Sequence, residues 1–242
     1  MTIHTESFQA LFEQFELLVR NRRAVRRFLP HAVDPELLDR LLDCARWAPS
    51  GYNLQPTHFV VVTDPEIKKK LHPACLKQKQ ILEAPAIVVF TGDRRVYQNN
   101  FPATLEIDLA AGVVNEQYAG KMKRNVALAF EQGPLGLGWL SKWGAGRVLP
   151  LVRVTPSIPA VEKKYWLTKQ VMLSSMVYML AASAAGLATV PMEGFDERRV
   201  KRVLGIPRHH VVPVVIPTGY TADEKLKKTR LPLERMVHRD GW

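Results

Sequence analysis

Residues 45–63 read ARWAPSGYNLQPTHFVVVT. Pro49, followed at once by Ser50-Gly51, stops a helix. The run His58 to Thr63 (HFVVVT), bounded by Asp64-Pro65, has the length and β-branched content of a strand. A continuous apolar run, rather than an alternating one, suits a strand covered on both faces. Upstream, Asp34-Pro35-Glu36 places an N-cap acid and a proline at a helix start, and Leu37, Leu38, Leu41, Leu42 and Ala45 supply its buried face. Phe8, Leu11, Phe12, Phe15, Leu18 and Val19 recur at spacings of three and four, which marks an earlier amphipathic helix. Downstream, Ala86 to Thr91 (AIVVFT) reads as a second covered strand, and a helix is predicted from Thr104 to about Tyr118.

Val171 to Met192 contains no charged residue across 22 positions, long enough to span a bilayer. Ser174, Ser175, Ser183, Gly186, Thr189 and Pro191, with an alanine-rich rather than leucine-rich composition, favour a buried helix instead. That helix runs from about Leu167 to Ala185 and is stopped by Gly186. A short strand (Ala188 to Pro191), a helix (Asp196 to Leu204) and a strand (Val211 to Pro217) follow. Gly219-Tyr220 then leads into a basic tail. Helices and apolar strands interleave, so the class is mixed α and β (α+β) with a covered sheet. Residues 119–166 are the least regular part: five of the 14 glycines fall between Gly133 and Gly146, and prolines follow from Pro150 to Pro159. Loops of this length are commonly functional or mobile, a surface excursion with no role being the alternative.

At 242 residues, 47% hydrophobic and 24% charged, the chain fits one globular domain and not a disordered segment, a rod or a disulfide scaffold. Cys44 and Cys75 are the two cysteines, far apart and without a CxxC. This points to a reducing, cytoplasmic setting and away from a thiolate zinc site. The first residues carry acids and lack a basic region leading into an apolar run, so they do not read as a signal peptide. The net charge of +11 favours anionic partners in general. Its basic residues cluster, Arg20, Arg22, Arg23, Arg26 and Arg27 within eight positions and Lys225, Lys227, Lys228 and Arg230 near the end, with no aromatic residues interleaved. Local anion sites fit this better than a nucleic-acid track.

No GxGxxG, GK[ST] or GxSxG occurs. His209 and His210 are adjacent and point to different faces of either regular element, which does not make a metal pair, and the other five histidines are scattered. Three segments carry more together than singly: Arg22-Arg23-Ala24-Val25-Arg26-Arg27-Phe28; Ala45 to Pro56; and Pro191-Met192-Glu193-Gly194-Phe195 with Gly219-Tyr220 and Lys228-Thr229-Arg230.

In this order and spacing the segments resemble the FMN-dependent nitroreductase family, over roughly Arg22 to Phe90 and Leu167 to Arg235. The resemblance implies an α+β three-layer sandwich, a central mixed, mainly antiparallel sheet flanked by helices. It implies one domain over 1–242 with a variable flavin-covering insertion at about 119–166, and an intertwined homodimer. It also implies FMN as cofactor, NADH or NADPH as reductant, and a nitroaromatic, quinone or related small-molecule acceptor, reduced in a ping-pong hydride transfer. A flavin-binding module with little turnover, or a reductase or dehalogenase with a different acceptor, is the alternative. The chemistry rests on the flavin, with no catalytic side chain, no metal, no nucleic acid and no membrane partner.

By the same resemblance Arg22, Arg23, Lys228 and Arg230 hold the FMN phosphate, the planar guanidinium forks suiting its oxygens. Ala24 replaces a common serine and keeps only its backbone N–H there, and Arg26 lies near the pyrimidine edge. Pro49, Ser50, Gly51, Asn53 and Gln55 match the segment that reaches the flavin from the other subunit. Pro191, Met192, Glu193 and Gly194 match the strand end that runs past the ring and offers a backbone N–H to flavin N5. Thr57 replaces a common tryptophan. Lys77, with Gln80 one turn later, aligns with a pyrimidine-edge asparagine and stays outside this set. Phe130, Trp139, Trp143 and Tyr165 are aromatic groups of the middle region to which no role is assigned.

Overall fold

The computed structural model describes residues 5–131, 138–148, 162–221 and 227–242. Elements follow in the order α1 (Thr5–Asn21), α2 (Pro35–Arg46), β1 (Thr57–Val62), α3 (Pro65–Ala74), α4 (Gln80–Glu83), β2 (Ala86–Asp93), α5 (Val96–Asn99), α6 (Phe101–Ala110), α7 (Glu116–Phe130), α8 (Gly138–Val148), α9 (Lys163–Ala184), β3 (Ala188–Thr189), α10 (Glu197–Leu204) and β4 (His210–Gly219). The start of α2 is set as its residues dictate: Asp34 accepts from the Glu36 N–H at 3.1 Å and Pro35 sits in the first turn. Asp64 and Asp196 cap α3 and α10 in the same way.

The four strands form one antiparallel sheet in the order β1-β2-β4-β3. Alternation along β2 divides the core. Ile87 and Val89 face a cluster with Leu71, Cys75, Ile81, Val200 and Val215; Ala86, Val88 and Phe90 face one with Leu41, Ala45, Val171, Tyr178 and Val214. Helices therefore cover both faces, α3 and α10 on one side, α2 and α9 on the other. Register slips by one residue on β4 between the Phe90–Val214 and Gly92–Val211 pairs. This bulge accommodates Pro213, which has no N–H to give a ladder. A third cluster, with Leu54, Phe101, Leu105, Met122, Val126 and Phe130, lies under α5, α6 and α7.

Several expectations need correction. β1 is an edge strand: His58 and Val61 are exposed, so its apolar run is not covered on both faces. The single helix predicted from Thr104 to Tyr118 is two, because Gly112 adopts a left-handed φ of +67° and Asn115 caps α7 by accepting from the Tyr118 N–H. The middle region is more regular than its glycines suggest, since α7 and α8 occupy part of it. Residues 132–137 and 149–161, with Gly133, Gly136 and Pro150 to Pro159, lie outside the described residues, as do Lys225 and the side chain of Trp139. α9 ends where Gly186 (φ +76°) makes a left-handed turn: Leu187 N–H donates to Ala182 O and Gly186 N–H to Ser183 O, closing the last carbonyls. Among the described residues no helix is long and apolar enough to cross a membrane.

Candidate functional site

Backbone pairing brings the arginine segment to the strand end. Ala24 bridges Thr189 in parallel, Val25 N–H donates to Thr189 O at 3.1 Å, and Thr189 runs on into Val190-Pro191. Phe28 bridges Thr221 and Leu29 N–H donates to Tyr220 O, so the same segment is clamped to the end of β4.

The last carbonyls of α1 have no helical partner and form the negative end of its dipole, which draws cations. Arg23 Nη1 donates to Arg20 O at 2.6 Å and Asn21 O at 2.8 Å, and Lys228 Nζ to Val19 O at 2.9 Å. A cavity of about 550 Å³ opens between Phe12, Phe15, Glu16 and Val19 of α1 and the side chains of Arg20, Arg23, Lys228 and Arg230, Glu16 being paired with Arg20 at 2.6 Å. Arg22 Nη1 is buried and has no hydrogen-bond partner among the described residues. Burial, then Arg230 and Arg23, hold the Arg22 guanidinium below its usual range. Burial, then Arg230, Arg22 and Arg23, do the same for the Lys228 ammonium. A cluster of four cations around a buried, unpaired N–H forms a socket for an anion. Arg26 and Ala24 lie beside it on the exposed edge of the segment.

At the strand end Met192 and Val215 exchange backbone hydrogen bonds at 2.9 and 3.0 Å. The Met192 N–H is thus committed to the sheet, and Pro191 has none. Of the four residues singled out here, only Glu193 and Gly194, both exposed, have an N–H outside the ladder. Gln78 Nε2 braces this turn on Gly194 O at 2.8 Å, and buried Gln80 donates to Gln78 Oε1 and Met192 Sδ. Leu76 and Lys77 take left-handed backbone (φ +54° each), which turns the chain toward Gly194. Lys77 is exposed, while Gln80 is consumed in this bracing.

Residues 49–55 are strained: Tyr52, Asn53 and Gln55 all have left-handed φ, at +57°, +52° and +49°. Non-glycine residues in this region cost of order 1–3 kcal/mol each, and such costs concentrate at functional sites. Their hydrogen bonds run to α6 and α9. Gly51 N–H donates to Gln170 Oε1 at 2.9 Å, Asn53 Nδ2 to Asp108 Oδ1 at 3.1 Å, and Gln55 N–H to Ser50 Oγ at 2.9 Å. Asn100 Nδ2 donates to Leu54 O and Gln55 O. Pro49, Ser50 and Gln55 line a small cavity with Gln170 and Ser174. A Cβ on Gly51 would press on the Trp166 indole at 3.3 Å.

The structure therefore gathers Arg22, Arg23, Lys228 and Arg230 at the end of α1, pairs the following Ala24-Val25 with Thr189 just before the 191–194 turn, and seats Pro49, Ser50, Gly51, Asn53 and Gln55 on a separate base. Sequence reading missed Gln78, Gln170 and Asp108, which hold these segments from 55 to 119 positions away without any local signal. Of the middle-region aromatics, Phe130 is core, edge-on to Trp166. Trp143 and Tyr165 are exposed beneath the Arg147 and Lys169 cations.

The profile of the Nitroreductase family matches residues 19–220, and the chain belongs to that family. It is 32% identical to the NADH dehydrogenase of Thermus thermophilus, over 89% of this chain and 91% of that protein. It is 31% identical to the CLA biosynthesis enone reductase of Lactiplantibacillus plantarum, over 87% of each. A protein of Exiguobacterium sibiricum solved in complex with FMN shares the fold, with a TM-score of 0.71 and 22% identity over 93% of this chain and 96% of that one.

Proposed function

Taking that membership as the premise, we propose that the chain is an FMN-dependent oxidoreductase. It draws on NADH or NADPH and reduces a small acceptor, a nitroaromatic, a quinone or a conjugated carbonyl, in a ping-pong sequence. The observation that carries the reading is the buried, unpaired Arg22 Nη1 within the Arg22, Arg23, Lys228 and Arg230 cluster. This cluster fits a phosphate monoester, whose charge would relieve the mutual repulsion and whose oxygens would satisfy the orphaned donor. The FMN-bound structure of the same fold supports the choice of phosphate. The enone reductase relative supports the wider acceptor class.

When bound, FMN supplies acceptance of a hydride from the nicotinamide and its onward transfer. The protein's residues do the rest. Arg22, Arg23, Lys228 and Arg230 hold the phosphate, and the Ala24 backbone lines the approach. Arg26 places positive charge toward the pyrimidine edge, where it favours the electron-rich ring. The Glu193 or Gly194 N–H would be the donor available to flavin N5, since the Met192 N–H is committed to the sheet and Pro191 has none.

The strained 49–55 segment, with Pro49, Ser50, Gly51, Asn53 and Gln55, serves a second copy of the chain in an intertwined homodimer. In support, α1 leaves Phe8, Leu11, Phe12 and Phe15 about half exposed or more, and α9 leaves Leu173 and Met176 uncovered. Apolar faces of this extent seek a partner. The insertion at about 119–166 covers the flavin's open face in this reading, and the protein works in the cytoplasm. Steady-state oxidation of NADH or NADPH by the FMN-loaded protein, with and without a quinone or nitroaromatic, tests it. Acceptor-dependent oxidation is the expected result; FMN-loaded protein that turns over no acceptor overturns the enzyme in favour of a flavin-binding module.

A further inference from the structure

Away from the cationic socket, at the end of the sheet where β1 starts, β2 finishes and β4 begins, four polar side chains share one face. The register pairs His58 with Thr91 and Asp93 with His210, and Thr91 and Asp93 are two apart on β2. Their side chains therefore point the same way. Alternation puts them on the α3 and α10 side, since Ile87 and Val89 of the same phase pack there. His210 thus meets two imidazoles, that of His58 two strands away with ring centroids 5.0 Å apart and that of its chain neighbour His209 at 4.9 Å.

We propose that His58, Asp93 and His210 form a binding site for a divalent transition-metal ion. One ligand atom from each, two imidazole nitrogens and a carboxylate oxygen, lies within 4.8 Å of the others. Bond lengths near 2.1 Å place tetrahedral ligand atoms roughly 3.4 Å apart, so closure from separations of up to 4.8 Å needs a contraction of at most about 1.4 Å. His58 is exposed and has the freedom to supply it. The other two are held in place. Thr91 Oγ1 hydrogen-bonds His210 Nδ1 at 2.9 Å, which leaves Nε2 as the ligating atom. Asp93 Oδ2 accepts from Asn99 Nδ2 at 2.6 Å and Oδ1 from the Arg95 N–H at 2.7 Å. Such outer hydrogen bonds orient metal ligands and fix the imidazole tautomer.

The nearby Lys201 ammonium is paired with Glu197 at 2.8 Å. His209 Nε2 lies 3.5 Å from Asp93 Oδ1, at the margin of the cluster. Two nitrogens and one oxygen suit Zn²⁺, Ni²⁺ or Co²⁺ rather than Mg²⁺ or Ca²⁺, which prefer all-oxygen sets. An ion here clips three strands together and stabilises the sheet end.

The site stands apart from the flavin reading, and its test does not use activity. Holoprotein stripped with a chelator is titrated with Zn²⁺ by calorimetry, and its thermal midpoint is followed with and without the ion. One equivalent per chain and a raised midpoint are expected. His58→Gln, at an exposed position, weakens Zn²⁺ binding by about tenfold or more and abolishes the shift, while His31→Gln, outside the cluster, leaves both unchanged. Absence of stoichiometric binding overturns the proposal, as does binding that survives both His58→Gln and Asp93→Asn.

Discussion

Lys228 and Val19 stand 209 positions apart, yet the Lys228 ammonium donates to the Val19 carbonyl at 2.9 Å. The negative end of α1 thereby collects a cation from the far end of the chain and sets it beside Arg22, Arg23 and Arg230. The free protein holds this like-charge cluster at a cost, which an anion reverses.

Replacing one of these cations therefore separates binding from folding. Arg230→Ala is expected to weaken FMN binding by about 1.5–3 kcal/mol, the scale of hydrogen bonds to charged groups. The midpoint of the FMN-free variant stays level or rises, because repulsion within the cluster falls. Fluorescence titration of FMN and a melt of the FMN-free protein check the two halves; wild-type affinity removes Arg230 from the phosphate site.

Gly219, where β4 hands over to the tail, packs against a proline ring that cannot swing away. A Cβ there lies 2.6 Å from Pro85 Cγ and 3.3 Å from Phe28 Cδ1. Gly219→Ala is expected to destabilise the fold by about 1–3 kcal/mol, the cost of overpacking. Urea denaturation measures it, and an unchanged midpoint contradicts the packing described.

Tyr178 is buried on α9, and its hydroxyl meets Thr218 Oγ1 of β4 at 2.9 Å. This bond ties α9, the longest helix among the described residues, to a central strand. Tyr178→Phe should lower stability by about 1 kcal/mol, read as a fall in thermal midpoint at unchanged flavin content.

The two cysteines should behave differently. Burial pushes the Cys75 thiol up to about 12, whereas Cys44 is exposed on α2. Because the thiolate is the reactive form, alkylation of the native protein at neutral pH modifies Cys44 and spares Cys75. Peptide mapping after iodoacetamide treatment decides it, and equal labelling contradicts the buried environment.

Much of this fold is written locally. Asp34-Pro35 starts α2, Gly186 ends α9, and the apolar run at 86–91 announces β2, because caps, left-handed turns and burial act over a few residues. Gly112 and Asn115 carried the break between α6 and α7 just as locally, but the apolar spacing across them masked it. The edge position of β1 was not legible, since HFVVVT reads the same at an edge and in the middle of a sheet. The arginine run and the 191–194 turn were recognisable by type. What brings the arginine segment alongside Thr189, just before that turn, is a backbone pairing, the Ala24–Thr189 bridge with its Val25 N–H to Thr189 O bond, that no side chain signals. The His58, Asp93 and His210 cluster depends on strand order, which adjacency in the chain conceals: His209-His210 stand out as neighbours, while His58, which reaches His210 across β2, lies 152 positions upstream.

The visible absorption spectrum of the purified protein, before and after anaerobic addition of NADH and then NADPH, tests the central claim most directly. The account predicts flavin bands that bleach with at least one nucleotide and return on adding a quinone or nitroaromatic. A colourless protein that takes up no FMN would contradict it and leave the Arg22, Arg23, Lys228 and Arg230 socket to another anion.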